Sequence, residues 1–162
     1  MYDINFFKQS YELKKKITSR DFSFDNLKLI EDELEFLRNK NPTIFNIETT
    51  NYCNMKCVMC PRTIYMERKN IWINDDLFEQ MLDSINLHDD KDLENFWKWL
   101  KDEASLDHKE VSENGFYFNI VSRCLILHGY GEPFLDKYLI KRLKACKERN
   151  IPTYFSCTPA TM

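Results

Sequence analysis

Thr43-Ile-Phe-Asn-Ile-Glu-Thr-Thr50 runs directly into Asn51-Tyr-Cys-Asn-Met-Lys-Cys-Val-Met-Cys-Pro-Arg62. The first stretch alternates and is rich in β-branched and aromatic residues, the pattern of a strand. The second puts Cys53, Cys57 and Cys60 in a C-x3-C-x2-C array on a short loop at the end of that strand. Thiolates at these gaps close on one point, which suits a soft metal or an iron–sulfur cluster. Three sulfurs are one short of the four that a structural zinc or a fully ligated cluster takes. The next histidine is His88 and the next cysteine is Cys124. An incomplete shell on a reactive metal is a site with an open position, where substrate or cofactor binds. The residues leave a second reading open: a zinc site completed from a distance by Cys124, Cys157 or His128.

Downstream, Asn74-Asp-Asp is a helix start, a capping side chain followed by two acids in the first turn. Leu77, Phe78, Met81, Leu82 and Ile85 give that helix one apolar face. Residues 86–118 are a charged insertion, long for a helix-to-strand connection. Within it, residues 90–103 predict a helix carrying Leu93, Phe96, Trp97 and Leu100 on one side, with His88 and His108 as solvated flanks. Arg123-Cys-Leu-Ile-Leu-His128 predicts a second strand, ending in Gly129-Tyr-Gly-Glu-Pro133. Asp136 caps a helix over 137–150, lined by Leu139, Leu143 and Cys146 with Ile140 beside them. Residues 151–157 predict a third strand. The order is β-α-β-α-β, so the strands are expected to be parallel with right-handed crossovers and functional loops at their C-terminal ends. Residues 1–42 precede this core as a helical extension. Ile4, Phe7 and Tyr11 fall at helical spacing, and Leu27, Ile30, Leu34 and Leu37 form a stripe capped by Ser23 or Asp25 and stopped by Pro42.

Composition narrows the function classes. The chain has 162 residues, 43% hydrophobic and 14% aromatic, enough to build a core. A net charge of −3, from 26 acidic and 23 basic residues, gives no electrostatic case for nucleic acid or a membrane surface. No apolar run is long enough to span a bilayer, and no secretory signal is visible at the N-terminus. Six cysteines without such a signal argue for reduced thiols in the cytoplasm, and so for metal binding over disulfides. Cys124 and Cys146 read as small core residues. Lys56, Arg62, Arg68 and Lys69 around the loop are a solvated face or a landing surface for an anionic electron donor.

Cys53-x3-Cys57-x2-Cys60 after a first strand, with Gly129-Tyr-Gly-Glu-Pro133 after a second, resembles the radical S-adenosylmethionine (SAM) enzymes. The core of the cysteine loop looks closest to the peptide-modifying and sulfatase-maturing branch, usually extended by a C-terminal cluster domain of the SPASM type. The resemblance covers about residues 43–162. It implies an α/β fold, a partial TIM-like (βα)6 barrel, here truncated after about three parallel strands with a helical N-terminal extension. The chain is then expected to be the N-terminal half of such a core, or one part of a split enzyme, and incomplete for catalysis; a non-catalytic iron–sulfur or zinc-binding remnant is the alternative. By the same resemblance Cys53, Cys57 and Cys60 would hold a 4Fe-4S cluster whose free iron binds SAM. Reductive cleavage of SAM to a 5′-deoxyadenosyl radical would follow, with hydrogen abstraction from a peptide or small metabolite. Met59 matches the position packed near the adenine. Gly129, Tyr130, Gly131 and Glu132 match the loop that receives the SAM amino group, and Ser156 and Thr158 are candidates for further polar contacts to SAM. The family often has Thr-Asn-Gly or a similar triplet at the end of the third strand, where this chain has Cys157-Thr158-Pro159. The implied partner is an electron donor such as ferredoxin or flavodoxin.

Overall fold

A computed structural model of the chain describes residues 3–20, 27–38, 44–103 and 116–158. The chain forms two compact units, Asp3–Thr43 and Ile44–Met162 with the first two residues.

In the smaller unit, the expected first helix is two. α1 (Ile4–Gln9) is capped by Asp3, whose Oδ1 accepts from Phe6 N at 2.8 Å. Ser10 interrupts it: its Oγ donates to Phe6 O at 2.6 Å, a back-bond that bends helices. α2 (Tyr11–Thr18) then ends before Arg20, which has a left-handed φ of 57°. α3 (Leu27–Leu37) carries Ile30, Leu34 and Leu37 half-buried along one stripe, while Leu27 is exposed. The caps expected at Ser23 and Asp25 and the stop at Pro42 lie outside the described residues.

The larger unit is built on Leu125-Ile126-Leu127. Two residues of it form β1 (Leu125–Ile126), which pairs parallel with β2 (Thr153–Tyr154). Leu125 N donates to Pro152 O at 2.7 Å and Leu127 N to Tyr154 O at 2.9 Å. On its other side β1 meets the extended segment 44–50. Ile47 N donates to Ile126 O and Ile126 N to Phe45 O, both at 2.8 Å, around the parallel bridge Asn46↔Ile126. The three lines therefore run parallel, with 125–127 in the middle.

Alternation sorts the side chains of the middle line. Leu125 and Leu127 join Ile47, Phe78, Leu82, Ala145, Cys146 and Ile151 in one cluster. Ile126 joins Ile120 and Val121 on the other face, with Phe45, Cys124 and Tyr154 against them. A strand covered on both faces reads as an unbroken apolar run, as this one does.

The helices mostly start where the sequence places them. α4 (Pro61–Tyr65) is a single turn after the cysteines. α5 (Asp75–Asp83) begins on Asn74, whose Oδ1 accepts from Leu77 N at 3.0 Å, and buries Phe78 and Leu82. α6 (Asp90–Asp102) buries Leu93, Phe96 and Leu100, with Trp97 half-buried. His88 is half-buried, and His108 lies outside the described residues. α8 (Leu139–Glu148) begins two residues later than expected, because Asp136 turns the chain first by accepting from Tyr138 N at 2.9 Å. Asn150, at φ 55°, ends it, and Ile151 N returns to Cys146 O at 2.9 Å.

Three expectations are corrected. The strand expected over 43–50 is, over 44–50, an extended segment held by isolated bridges at Asn46 and Thr50, so the regular sheet has two strands where three were expected. The strand expected from Arg123 begins at Leu125, because α7 (Phe116–Arg123) runs through that residue and Cys124 N still donates helically to Ile120 O at 2.7 Å. Packing of Ile120 and Val121 on the sheet decides this against the β-rich composition. The third strand is two residues long rather than seven. The unit is thus a mixed α/β structure around a short parallel sheet. No described helix is long and apolar enough to cross a membrane.

Candidate metal centre

The cysteine loop is a closed excursion from the end of the first extended segment. The chain leaves at Thr50 and returns antiparallel at Trp72, with Ile73 N donating to Thr49 O at 2.9 Å and Asn51 N to Ile71 O at 3.3 Å. The Asn51 side chain, 2% exposed, seals this neck. Its Oδ1 accepts from Ile71 N at 2.6 Å and its Nδ2 donates to Lys69 O at 2.9 Å. Arg62 ties the far limb back, donating from Nε to Asn51 O at 3.0 Å and from Nη2 to Cys53 O at 3.2 Å. Tyr52 stacks on Trp72 at 4.3 Å, and Trp72 Nε1 donates to Leu135 O at 3.2 Å.

Within the loop, Cys53 Sγ accepts from Met55 N at 3.4 Å. Cys57 and Cys60 bracket a reverse turn closed by Cys60 N to Cys57 O at 3.1 Å. Thr63 holds that turn from below, with Oγ1 on Cys57 O at 3.2 Å and N on Cys60 O at 3.0 Å. All six cysteines of the chain are free thiols; Cys57 is exposed and Cys53 and Cys60 half-buried. Val58 and Met59, 95% and 92% exposed, project into solvent, so Met59 packs on nothing here.

The donor set fits an iron–sulfur cluster in kind: three thiols on one loop, one of them already taking a backbone N–H of the type that tunes cluster sulfurs. In this conformation the sulfurs are not gathered. Among the described residues no three His, Cys, Asp or Glu side chains stand close enough to hold a metal ion. The distant residues that could complete a zinc shell are likewise apart from one another in environment. Cys124 is half-buried with its thiol pushed up by burial, Cys157 is exposed, and His128 accepts at Nδ1 from Ser156 N at 3.1 Å. Burial also holds the His128 ring below its usual pKa, and the Ser156 N–H on Nδ1 leaves Nε2 as the ring's donor.

The Gly-Glu loop sits on the neck of the cysteine loop. Glu132 N donates to Tyr52 O at 2.7 Å. A Cβ on Gly131 would overlap the Thr50 carbonyl oxygen and lie 2.7 Å from Thr50 C. Glycine is needed there for room, since its φ is negative. Gly131→Ala must push the two loops apart, and a loss of about 1–3 kcal/mol is expected in chemical denaturation. A loss within 0.5 kcal/mol of zero, the range of ordinary surface substitutions, would contradict that packing.

Glu132 itself is 3% exposed. Its Oε1 accepts from Phe134 N at 3.3 Å, and its Oε2 accepts from both Thr158 N and Thr158 Oγ1 at 3.0 Å. The structure therefore brings together the base of the cysteine loop, Gly131, Glu132 and Thr158. Ser156 stays apart from this group, with its Oγ 3.3 Å from Tyr154 OH. Tyr130 is 53% exposed and its N donates to Glu48 Oε1 at 2.8 Å.

Glu48, unremarked in the sequence, organises the other flank. It takes Tyr130 N on one oxygen and pairs with Arg68 on the other, while a Cβ at Gly129 would meet its side chain at 2.9 Å. Of the four basic residues around the loop, Arg62 and Arg68 thus spend hydrogen bonds inside the fold. A cleft of about 440 Å³ opens beside them, lined by Pro61, Arg62, Tyr65, Met66, Glu67, Arg68 and Tyr130. Its lining combines two guanidiniums, that of Arg68 paired with Glu48, with the Glu67 carboxylate and two phenol rings.

Arg142 is the other residue the sequence did not mark. It is 1% exposed on α8 and donates to Thr49 O and Ile73 O, both at 2.8 Å, so it clamps both limbs of the neck. A signal existed: the helical stripe that holds Leu139 and Cys146 also passes through position 142, a charge among apolar neighbours.

No family model, curated protein or solved structure matches the chain.

Proposed function

We propose that the chain is a radical SAM iron–sulfur protein, or the N-terminal part of one. The observation that supports this most is the seating of the Gly-Glu loop on the neck of the three-cysteine loop, through Glu132 N to Tyr52 O and the close approach of Gly131 to Thr50. The segments that lead into the two motifs, 44–50 and 125–127, are parallel neighbours, so both motifs lie at the C-terminal ends of adjacent lines, where such folds bind ligands.

On this reading Cys53, Cys57 and Cys60 hold a 4Fe-4S cluster. The chemistry such a group supplies when bound is one-electron reductive cleavage of SAM, giving methionine and a radical that takes hydrogen from a substrate. The chain's own residues bind and orient. Arg62 and Asn51 fix the loop that bears the thiols. The carbonyls of 129–131 and the Glu132 carboxylate receive an ammonium group. A carboxylate offers roughly four acceptor positions; Thr158 and Phe134 occupy three, leaving one for that ligand. The cleft beside Arg62, Arg68, Tyr65 and Tyr130 provides room for an organic ligand. The parallel lines 44–50, 125–127 and 153–154 then belong to the start of a (βα)6 barrel. A one-electron donor of the ferredoxin or flavodoxin type serves it, in the cytoplasm, and the substrate is a peptide or small metabolite.

The test is anaerobic reconstitution with iron and sulfide, followed by electron paramagnetic resonance of the reduced protein with and without SAM. A spectrum that changes on adding SAM is expected, with 5′-deoxyadenosine released on turnover. A cluster blind to SAM overturns the reading, as does a protein that takes up zinc and builds no cluster.

A further inference from the structure

We propose that, when the loop holds no metal, Cys57 and Cys60 form a disulfide, so that the C-x2-C half of the array is a two-electron thiol switch that closes the loop to metal. The inference rests on the turn geometry and stands whether the loop serves a cluster or zinc.

The backbone has already brought this pair together. Cys60 N donates to Cys57 O at 3.1 Å, the hydrogen bond of a reverse turn with the two cysteines at its corners. The Cα atoms across such a turn lie within about 7 Å, and disulfides bridge Cα separations of about 4.4–6.8 Å. Thr63 fixes the turn through both corner carbonyls. The two residues between the cysteines, Val58 and Met59, are 95% and 92% exposed, so closing the ring disturbs little packing.

Cys53 is held differently. Its sulfur takes Met55 N at 3.4 Å, its carbonyl takes Arg62 Nη2 at 3.2 Å, and among the described residues no backbone hydrogen bond joins it to Cys57 or Cys60. Of the remaining thiols, Cys146 is 0% exposed and so out of reach of an oxidant. Cys157 is exposed and is the natural competitor.

The exchange balances with a low-molecular-weight disulfide as oxidant. The thiolate of Cys57, the more exposed partner, attacks one sulfur of the small disulfide, giving a mixed disulfide and one small thiol. The thiolate of Cys60 then displaces the second small thiol, leaving the Cys57–Cys60 bond. The protein loses two electrons and two protons, and the small disulfide gains them. Two of the three donors are then unavailable to a metal, while both sulfurs are kept from irreversible over-oxidation.

The experiment incubates the metal-free full chain with oxidised glutathione and maps disulfides by proteolysis and mass spectrometry. The expected product is an internal bond between Cys57 and Cys60, retained in Cys53→Ser and lost in Cys57→Ser and Cys60→Ser. Zinc uptake, as the metal probe, should fall at least tenfold on oxidation and return with dithiothreitol. A bond that engages Cys53 or Cys157, stable glutathione adducts with no internal bond, or unchanged zinc uptake by the oxidised protein would each overturn the proposal. Cys157→Ser should leave the Cys57–Cys60 bond intact; its loss in that variant counts against the proposal too.

Discussion

Arg142→Ala is expected to cost the larger unit about 3–5 kcal/mol, the range for removing one partner of a buried ion pair. Arg142 is 1% exposed and Asp136, whose side chain is 0% exposed, lies 2.9 Å from its Nη1. That contact is an ion pair without hydrogen-bond alignment, since no N–H is aimed at Asp136 Oδ2. The guanidinium donates instead to Thr49 O and Ile73 O, with Asp75 a further 3.6 Å contact. Burial pushes the Arg142 pKa down, and Asp136 and Asp75 pull it back up. Alanine removes all of this at once, leaving a buried carboxylate without its cation and the Ile73 carbonyl without its donor, while Thr49 O keeps Ile73 N. Urea denaturation of wild type, Arg142→Ala, Arg142→Met, Asp136→Leu and the double variant Arg142→Met/Asp136→Leu checks it. The double variant should be less damaged than the sum of single losses, because an apolar pair of similar volume replaces a buried ion pair well. A loss below about 1 kcal/mol in Arg142→Ala would mean the clamp carries little of the unit's stability.

Cys57→Ala is expected to bring bound iron and sulfide to background after anaerobic reconstitution, because two thiols on one loop cannot hold a cluster that needs three. Cys57 is exposed, so the substitution should leave stability within about 0.5 kcal/mol. Loss of iron then reports ligation and not unfolding. Cys146→Ala is the reverse control. That sulfur is 0% exposed in the main cluster, and burial pushes its thiol pKa up to about 11. Its removal should weaken the fold and leave iron content per folded molecule unchanged. Iron that persists in Cys57→Ala would refute the ligand assignment.

Local rules carried the parts of the fold that local chemistry decides. Asn74 with its two following acids marked the start of α5 to the residue, and Leu93, Phe96 and Leu100 marked the buried face of α6. The apolar run Leu125-Ile126-Leu127 marked a strand, and its unbroken pattern reflects the covering of both its faces. What failed was whatever a distant partner decides. Arg123 reads as the start of a strand yet ends a helix, since Ile120 and Val121 pack with Ile126. Ile140 looks like core and is 66% exposed, while Arg142 on the same helix is buried by carbonyls 93 and 69 positions away. At the candidate site, spacing singled out the three cysteines, and the family resemblance added Gly131, Glu132 and Thr158. Neither gave a hint of Glu48, whose role depends on Tyr130 and Arg68 arriving from elsewhere.

The reach of Arg142 back to Thr49 also sets a schedule for biosynthesis. The clamp spans 93 positions. At roughly 5–20 residues per second, the cysteine loop leaves the ribosome about 5–20 seconds before the residue that locks its neck does. During that interval the three thiols belong to an unanchored chain, open to whatever metal carrier or oxidant the nascent polypeptide meets first. The choice between a metal-loaded and an oxidised loop is therefore exposed to kinetic competition at birth, before the folded protein can exert any preference of its own.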